Sequence, residues 1–246
     1  MLSIGEGGGA GLYGTTELGV PKYPRKQFFD ECVAVMREAG RFVPLFNDKH
    51  LSYSWEHAKE MHDTAASHGF GLMAGSSVVL AHRLPQLGDD IDAGEARITE
   101  AVAIHGGPME SYDFHGCELL QCIVESRPSG NSAGRGLRSV QLVEGDALWA
   151  AVDSGRINEG LVRAAMACED RVEGTTTAAE WRELRPSDSD DLVTSDAPPH
   201  ALLLDFADGL RGTVLRVGDD NARWNFACQV AGESEPRATR VVVGPW

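Results

Sequence analysis

Residues 41–85, RFVPLFNDKHLSYSWEHAKEMHDTAASHGFGLMAGSSVVLAHRLP, decide the fold of this chain. A short apolar run comes first and ends at a dense polar turn, and a helical pattern follows that Gly69 ends. A second apolar run begins at once and stops at the polar residues 75–77. Apolar runs separated by a helix are typical of parallel strands that are buried on both faces. The stretch therefore predicts a βαβ unit.

The polar turn Asn47-Asp48-Lys49-His50 is the expected position of the chemistry. In open α/β sheets, ligands bind beyond the carboxyl ends of the strands, and this turn follows the first apolar run directly. Ser52 or Ser54 would then cap the following helix.

Upstream of this stretch, the alternation of strand and helix continues in weaker form. After about residue 85, the helices between strands give way to longer strands. A strand at 2–4 and a helix at 23–40 are predicted before the opening stretch. Beyond it, longer strands separated by turn signals are expected at 98–105, 136–143, 201–206, 212–217, 224–230 and 239–243. The last four should form an antiparallel meander, with helices at 114–125 and 158–168 covering one face. The predicted fold class is α/β plus α+β, in two domains at 1–85 and 86–246.

Composition narrows the function classes. The net charge of −15 and the pI near 4.9 argue against a surface that binds nucleic acid or an anionic membrane. No apolar stretch is long enough to cross a bilayer and no signal segment is evident, so a cytoplasmic protein is the default expectation. The five scattered cysteines are expected to be reduced core thiols. The acidic run 187–191 is expected to be a surface loop or linker.

Two glycine-rich segments invite a comparison with phosphate-binding loops. Residues 5–10, GEGGGA, satisfy the dinucleotide pattern G-x-G-x-x-G/A after an apolar tripeptide. The pattern must open a helix, however, and the glycines and proline that follow would break one, so a loop is favoured. Residues 130–136 have no preceding strand and are also expected to be a loop.

An ordered set of motifs resembles a known family. The motifs are YPRKQFF at 23–29, PLFNDKHLS at 44–52, MAGSS at 73–77, RLP at 83–85 and ESYDFHGCELLQ at 110–121. Together they resemble the later part of the glucose–fructose oxidoreductase, inositol dehydrogenase and MocA family, and more closely an uncharacterised bacterial branch related to it. The resemblance covers most of the chain. It implies a partial Rossmann-like parallel βαβ unit, followed by a mostly antiparallel sheet domain with covering helices.

The resemblance also implies a site. Asp48-Lys49-His50 matches the family's E-K-P, with Asp for Glu and His for Pro, so Lys49 is the expected group for proton transfer and nicotinamide positioning. His115 matches the histidine of the family's D-x-x-x-H pair, although Ser111 stands at the aspartate position and Asp113 lies nearby. The candidate catalytic residues are thus Lys49, His115 and Asp113. Candidate substrate contacts are Asp48, His50, Arg83, Glu110 and Tyr112, and candidate cofactor contacts are Glu6, Lys49 and Ser76.

The family pattern implies NAD or NADP as the cofactor and a small sugar- or polyol-like molecule as the substrate. In that pattern, the half with the glycine fingerprint precedes the strand at 2–4, and the family continues beyond residue 246. The chain is therefore expected to be truncated at both ends, so that cofactor binding would require the missing half.

Two other functions stay open. The first is a non-catalytic ligand-binding module that forms a homo-oligomer through an open face of the antiparallel sheet. The second is a metal-dependent hydrolase or lyase that uses Asp48, His50, Asp113 and His115, or else His57 and His62. His57 and His62 are spaced i,i+5, which does not align them as H-E-x-x-H does. No metal ligand set is favoured.

Overall fold

The computed structural model describes residues 1–5, 12–17, 20–128, 134–169, 181–184 and 198–243. The chain divides into two compact units, Met1–Ser77 and Val78–Trp246. Among the described residues, no helix is long and apolar enough to cross a membrane. The loops expected at 5–10, 130–136 and 187–191 lie wholly or mostly outside the described residues, as does Glu6.

The first unit is the predicted α/β unit. Its elements are β1 (Leu2–Ile4), α1 (Arg25–Glu38), β2 (Leu45–Asp48), α2 (Trp55–His68) and β3 (Leu72–Gly75). The three strands form a parallel sheet in the order β1-β2-β3, so β2 is the central strand. Its core is built by apolar side chains of the strands and of both helices: Ile4, Phe29, Val33, Met36, Leu45, Met61, Ala65 and Phe70.

Local signals set the bounds of α2. The Ser54 side chain accepts a hydrogen bond from the backbone N–H of His57 and caps the helix. Gly69 ends it in the left-handed conformation. The strand before it differs from the expectation, since β2 begins only after Pro44 and includes Asn47 and Asp48. Pro44 lacks an N–H for the ladder, which delays the strand, and the turn itself is reduced to the residues from Lys49 onward.

The second unit is built on a seven-stranded mixed sheet. Its strands are β4 (His82–Leu84), β5 (Ile98–His105), β6 (Leu137–Glu144), β7 (His200–Phe206), β8 (Arg211–Arg216), β9 (Trp224–Val230) and β10 (Arg237–Val242). Its helices are α3 (Asp89–Asp92), α4 (Met109–Val124), α5 (Gly145–Asp153) and α6 (Glu159–Met166), with a short 3₁₀ helix at Trp181–Leu184. Another 3₁₀ helix, Ser77–Leu80, starts at the last residue of the first unit. The fold class predicted from the sequence is confirmed by this arrangement.

The strand order corrects the expected meander. The sheet runs β4-β10-β9-β5-β8-β7-β6, so β8 and β9 are separated by β5. β5 pairs with β8 in parallel and with β9 antiparallel. The reason lies in burial, because residues 101–105 are buried without alternation and such a strand needs a neighbour on each side and a layer over each face.

The helices also differ from the expectation, because α4 and α6 cover opposite faces of the sheet rather than one. Alternate residues of β5 show this: Ala101 and Ala103 belong to the core that includes α4. Val102 and Ile104 belong to the core that includes α5 and α6. The centre of the sheet is thus closed on both sides, and α5, which the sequence analysis does not predict, is part of the second layer.

Candidate functional site

The carboxyl end of β2 carries the first group of candidate residues. Lys49 follows the strand with φ of 57°, the one positive value found for a non-glycine residue in the described parts of the chain. The fully buried Asn47 holds this turn, since its Nδ2 donates to the carbonyl oxygens of Asp48 at 3.3 Å and His50 at 3.0 Å. Lys49 also forms an isolated bridge with Gly75 at the end of β3. The turn therefore has a defined shape that brings Asp48, Lys49 and His50 to one edge of the sheet.

Burial determines the charge state of this turn. It lowers the pKa of the half-buried Lys49 amine, because desolvation disfavours the ammonium form. It also lowers the pKa of His50, and the nearby Arg25 guanidinium adds to that effect. Arg25 Nη1 lies 3.0 Å from His50 Nδ1, and since a guanidinium can only donate, Nδ1 accepts and the ring carries its proton on Nε2. The turn thus holds a neutral imidazole beside a lysine that loses its proton more readily than usual.

A second group lies in the other unit, across the strands β5, β8 and β7. His105 pairs with Arg216, and Arg216 pairs with His200, so the three residues form one row of the sheet. His105 and Arg216 stand at the carboxyl ends of two parallel strands. Asp113 reaches this row from the first turns of α4. Sheet register and one helix therefore bring together two histidines that are far apart in sequence and one aspartate.

The polar contacts within this group are short. Asp113 Oδ1 lies 2.9 Å from His105 Nε2. His200 Nε2 lies 2.9 Å from Oδ1 and 3.0 Å from Oδ2 of the same carboxylate. The three side chains are buried, and their ligand atoms lie within 4.8 Å of one another. We call these residues the His–Asp–His cluster.

Protonation in the cluster follows from these contacts. Burial lowers the pKa of His105, against the opposing effect of Asp113. Burial raises the pKa of Asp113, but its contacts with the two imidazoles outweigh this and hold the pKa below its usual value. Asp113 is therefore an anion and His105 a neutral ring at neutral pH.

Aromatic rings surround the cluster. Trp224 stacks on Tyr112, with ring centroids 5.3 Å apart, and on His105 at 5.9 Å. His115 meets the Trp224 ring edge-on at 5.8 Å. His115 therefore contacts the Trp224 ring, which in turn stacks on His105 of the cluster. His115 itself is half-buried.

The remaining candidates have other surroundings. Arg83 lies in β4 and pairs with Asp92 at 3.0 Å, so its charge is already compensated. Glu110 is exposed in the first turn of α4. Ser76 is buried just after β3. None of these three belongs to the His–Asp–His cluster.

Sequence reasoning missed His105 and His200. Each stands at an end of an apolar strand, His105 after ITEAVAI and His200 before ALLLDF, and this position was the available signal. The signal becomes specific only once β5 is known to lie beside β8, because that pairing brings the two strand ends into one row.

The chain resembles several solved structures. GenD2 from gentamicin A biosynthesis, in complex with NAD, is 13% identical over 89% of this chain and 51% of that chain, with a TM-score of 0.48. The WlbA dehydrogenase from Bordetella pertussis, in complex with NADH and UDP-GlcNAcA, is 13% identical over 91% of this chain and 58% of that chain, with a TM-score of 0.44. An inositol dehydrogenase homolog from Azotobacter vinelandii, complexed with NADH and myo-inositol, is 13% identical over 85% and 47%, with a TM-score of 0.42.

This chain therefore spans about half the length of those proteins. At these identities and TM-scores, the likeness assigns no activity, substrate or cofactor to the chain. No protein-family model and no curated protein matches it.

Proposed function

We propose that this protein is oxidoreductase-like and moves hydride between NAD(P) and a small sugar- or polyol-like substrate, with Lys49 as its acid/base group. The observation that carries the proposal is the backbone of Lys49, which has a left-handed conformation at the carboxyl end of a central parallel strand. A lysine in that conformation costs about 1 kcal/mol, and such strain persists where the surrounding structure enforces it. Strained residues cluster at active sites and ligand clamps, which supports a functional role.

The chemistry of the side chain supports the same role. A general base works best when its pKa lies near the operating pH, and burial moves the pKa of Lys49 downward, in that direction. The neutral amine would accept the proton of a substrate hydroxyl as the neighbouring C–H bond breaks and the carbonyl forms. The ammonium would return that proton when a carbonyl is reduced. The neutral His50, with its proton on Nε2, adds a hydrogen-bond donor to the same turn.

The described residues fit the reacting end of a nicotinamide cofactor better than its pyrophosphate. Lys49 and the buried amide of Asn47, whose Oδ1 has no hydrogen-bond partner among the described residues, are suitable polar groups at the carboxyl end of β2. The turn from β2 into α2, residues 49–54, contains no glycine, so it is not a glycine-rich phosphate loop. When bound, the nicotinamide would supply a hydride acceptor or donor.

His115 is retained in the proposal as a second proton-transfer group, and Asp113 is not. Asp113 is engaged by two imidazoles, whereas His115 lies outside that cluster. The proposed substrate class follows the ligands named for the similar dehydrogenases, myo-inositol and UDP-GlcNAcA.

The test has a binding arm and a turnover arm. NADH and NADPH are titrated into the purified full chain while nicotinamide fluorescence is followed, and sugars and polyols are then screened with NAD⁺ and NADP⁺ for reduced cofactor. Lys49→Met should bind cofactor within a few-fold of the parent but oxidise substrate at least about 100-fold more slowly. Lys59→Met, which removes an exposed lysine of α2, is the matched control and should change neither.

Two results would count against the proposal. A folded chain that binds neither NADH nor NADPH would contradict the proposal that the protein is an oxidoreductase. Full turnover by Lys49→Met would remove Lys49 as the acid/base group while leaving the activity class intact.

We also propose a homo-oligomer, formed by a second copy of this chain at the outer strand β6. This edge strand exposes the apolar side chains of Leu137, Val140 and Leu142 beside backbone groups that β7 leaves unpaired. Such an edge is a template for pairing with another strand. Light scattering should report a dimer that Val140→Lys splits, and a parent chain that stays monomeric at high concentration would exclude the interface.

A further inference from the structure

The His–Asp–His cluster consists of three buried groups whose donor atoms converge. Two imidazole nitrogens and a carboxylate are the ligands that Zn²⁺ takes in catalytic sites with an open position. We propose that His105, Asp113 and His200 bind a divalent transition-metal ion of the Zn²⁺ type. This goes beyond the proposed oxidoreductase function and does not depend on it.

The dimensions of the cluster suit such an ion. In a tetrahedral zinc site with bonds of about 2.0–2.1 Å, neighbouring ligand atoms are about 3.3 Å apart. Asp113 Oδ1 lies 2.9 Å from Nε2 of His105 and 2.9 Å from Nε2 of His200. These two pairs would each open by less than about half an ångström to admit the ion, and the ligand atoms of the two histidines lie within 4.8 Å of each other. Movements of this size need only small rotations of the side chains.

Hydrogen bonding alone leaves part of the cluster unsatisfied. Neither ring nitrogen of His105, which has no exposed surface, has a hydrogen-bond partner among the described residues. Its Nε2 has a charged group nearby, since it lies 2.9 Å from Asp113 Oδ1. A buried polar atom without a hydrogen-bond partner destabilises the folded state, so a cation that bonds Nε2 would be stabilising.

The contact of His200 with Asp113 also favours a bound metal ion. Its Nε2 lies almost equally far from the two Asp113 oxygens, at 2.9 and 3.0 Å. A single N–H cannot be directed well at both, whereas a lone pair and a carboxylate can both be directed at an ion between them. The carboxylate, whose charge offsets part of the ion's, is the third ligand.

The fixed surroundings keep the cluster in place. Arg216, the residue between the two histidines in the row, donates to the carbonyl oxygens of Gly107 at 2.9 Å and Pro198 at 3.1 Å and pairs with Asp219. Its charge is thus compensated by groups other than Asp113. Trp224 and Tyr112 stack beside His105 and exclude water from that side.

One missing contact sets the expected affinity. Metal-bound histidines usually donate their second ring nitrogen to an acceptor, and loss of such a partner lowers metal affinity by about 10- to 100-fold. His105 Nδ1 has no acceptor among the described residues. We therefore expect an exchangeable site that loads when metal is added, and loading is the measurement to make.

The experiment uses the untagged full chain after treatment with a chelator. Co²⁺ is titrated in while its visible d–d absorption is followed, and Zn²⁺ is then added to displace it. One equivalent of Co²⁺ should give the intense absorption of a four- or five-coordinate site, and Zn²⁺ should abolish it and raise the melting temperature. Asp113→Asn and His200→Asn should each weaken Co²⁺ binding by at least about 100-fold, more than an outer-shell loss does.

Controls separate this site from other ligands and from misfolding. His82→Gln removes an exposed histidine of β4 in the same unit and should leave the titration unchanged. Lys49→Met should also leave it unchanged, so the metal site can fail or stand independently of the oxidoreductase proposal. Far-UV circular dichroism checks that each variant folds. Absence of a d–d band and of any Zn²⁺-dependent melting shift in the parent chain would overturn the proposal, whatever the variants do.

Discussion

Lys49 combines two features that oppose stability, a left-handed backbone and a partly desolvated charge. β2 ends at Asp48, and Lys49 follows it and bridges to Gly75 at the end of β3. Strained residues persist where the surrounding structure enforces them, so relieving the strain at Lys49 should stabilise the fold.

Lys49→Gly should raise the free energy of unfolding by about 1 kcal/mol, because glycine adopts positive φ without a steric cost. Chemical denaturation followed by circular dichroism measures the change. The matched control is Lys59→Gly in the interior of α2, which should lower stability by about 1 kcal/mol. Destabilisation by Lys49→Gly would mean that the side chain, rather than the backbone, dominates at this position.

Residues of the first site could be predicted because they are adjacent in sequence. The polar turn that ends at His50 follows an apolar strand directly, so one stretch of sequence predicts both the strand and the candidate site residues. His105 and His200 could not be predicted in this way, because only the strand register brings them beside Asp113. Asp113 itself was found through its motif, but with a different set of expected neighbours.

At the scale of elements, the approach of α4 to the sheet depends on Gly116. A Cβ at this position would lie 2.6 Å from Val214 Cγ1 and 3.1 Å from His105 Cδ2. The helix therefore packs close enough for Asp113, one turn earlier, to reach the histidine row.

Gly116→Ala should destabilise the protein by about 1–3 kcal/mol, although alanine is normally the better helix former by about 1 kcal/mol. The overlap with Val214 outweighs helix propensity because both elements are buried. Ser111→Ala, an exposed change in the same helix, should stay within about 0.5 kcal/mol. Thermal melts of both variants decide the point, and a stabilised Gly116→Ala would show that α4 has room to move.

An ion pair links helix α6 to the 3₁₀ helix Trp181–Leu184. Glu159 accepts hydrogen bonds from Arg182 and Arg163, which lower its pKa from 4.5 to about 2. Next to Arg182, the buried Trp181 stacks near Trp149, with ring centroids 5.3 Å apart. The ion pair thus holds a segment whose tryptophan fills the core.

The stabilisation from the ion pairs of Glu159 depends on pH with a defined sign. Because the folded-state pKa is depressed, the stabilisation is complete above pH 4.5 and is lost as the pH falls toward about 2. Glu159→Gln should therefore lower the melting temperature at neutral pH, and the difference from the parent should shrink across that window. A constant difference from neutral to acidic pH would show that the charge of Glu159 is not what matters.

Elements with strong local patterns could be predicted, and their arrangement could not. Ser54 and Gly69 marked the ends of α2 because capping is local. The residues of β5 indicate that both of its faces are buried. They do not indicate that its neighbours in the sheet are β8 and β9. The sides taken by α4 and α6 follow from the same missing information.

For the whole molecule, the two units differ in how much apolar surface they bury. The first unit, Met1–Ser77, has one small core under a three-stranded sheet. The second has a core on each face of a seven-stranded sheet. We expect the first unit to unfold first, because stability rises with buried apolar area.

Denaturant titration should separate the two transitions. Trp55 of the first unit is 75% exposed, whereas Trp149, Trp181 and Trp224 of the second are buried. Tryptophan emission should therefore report the second unit and change at a higher denaturant concentration than the first phase of far-UV circular dichroism. Coincident transitions from the two probes would show that the chain unfolds in one step.

The central position of β5 has a consequence for synthesis of the chain. Its partners begin only at Arg211 and Trp224, so a nascent β5 leaves the ribosome long before either strand exists. Until then an apolar strand with two open edges is exposed, which is the kind of segment that aggregates or recruits chaperones. Premature termination before β8 should therefore yield insoluble polypeptide, and the row of His105, Arg216 and His200 can assemble only after β8 has been translated.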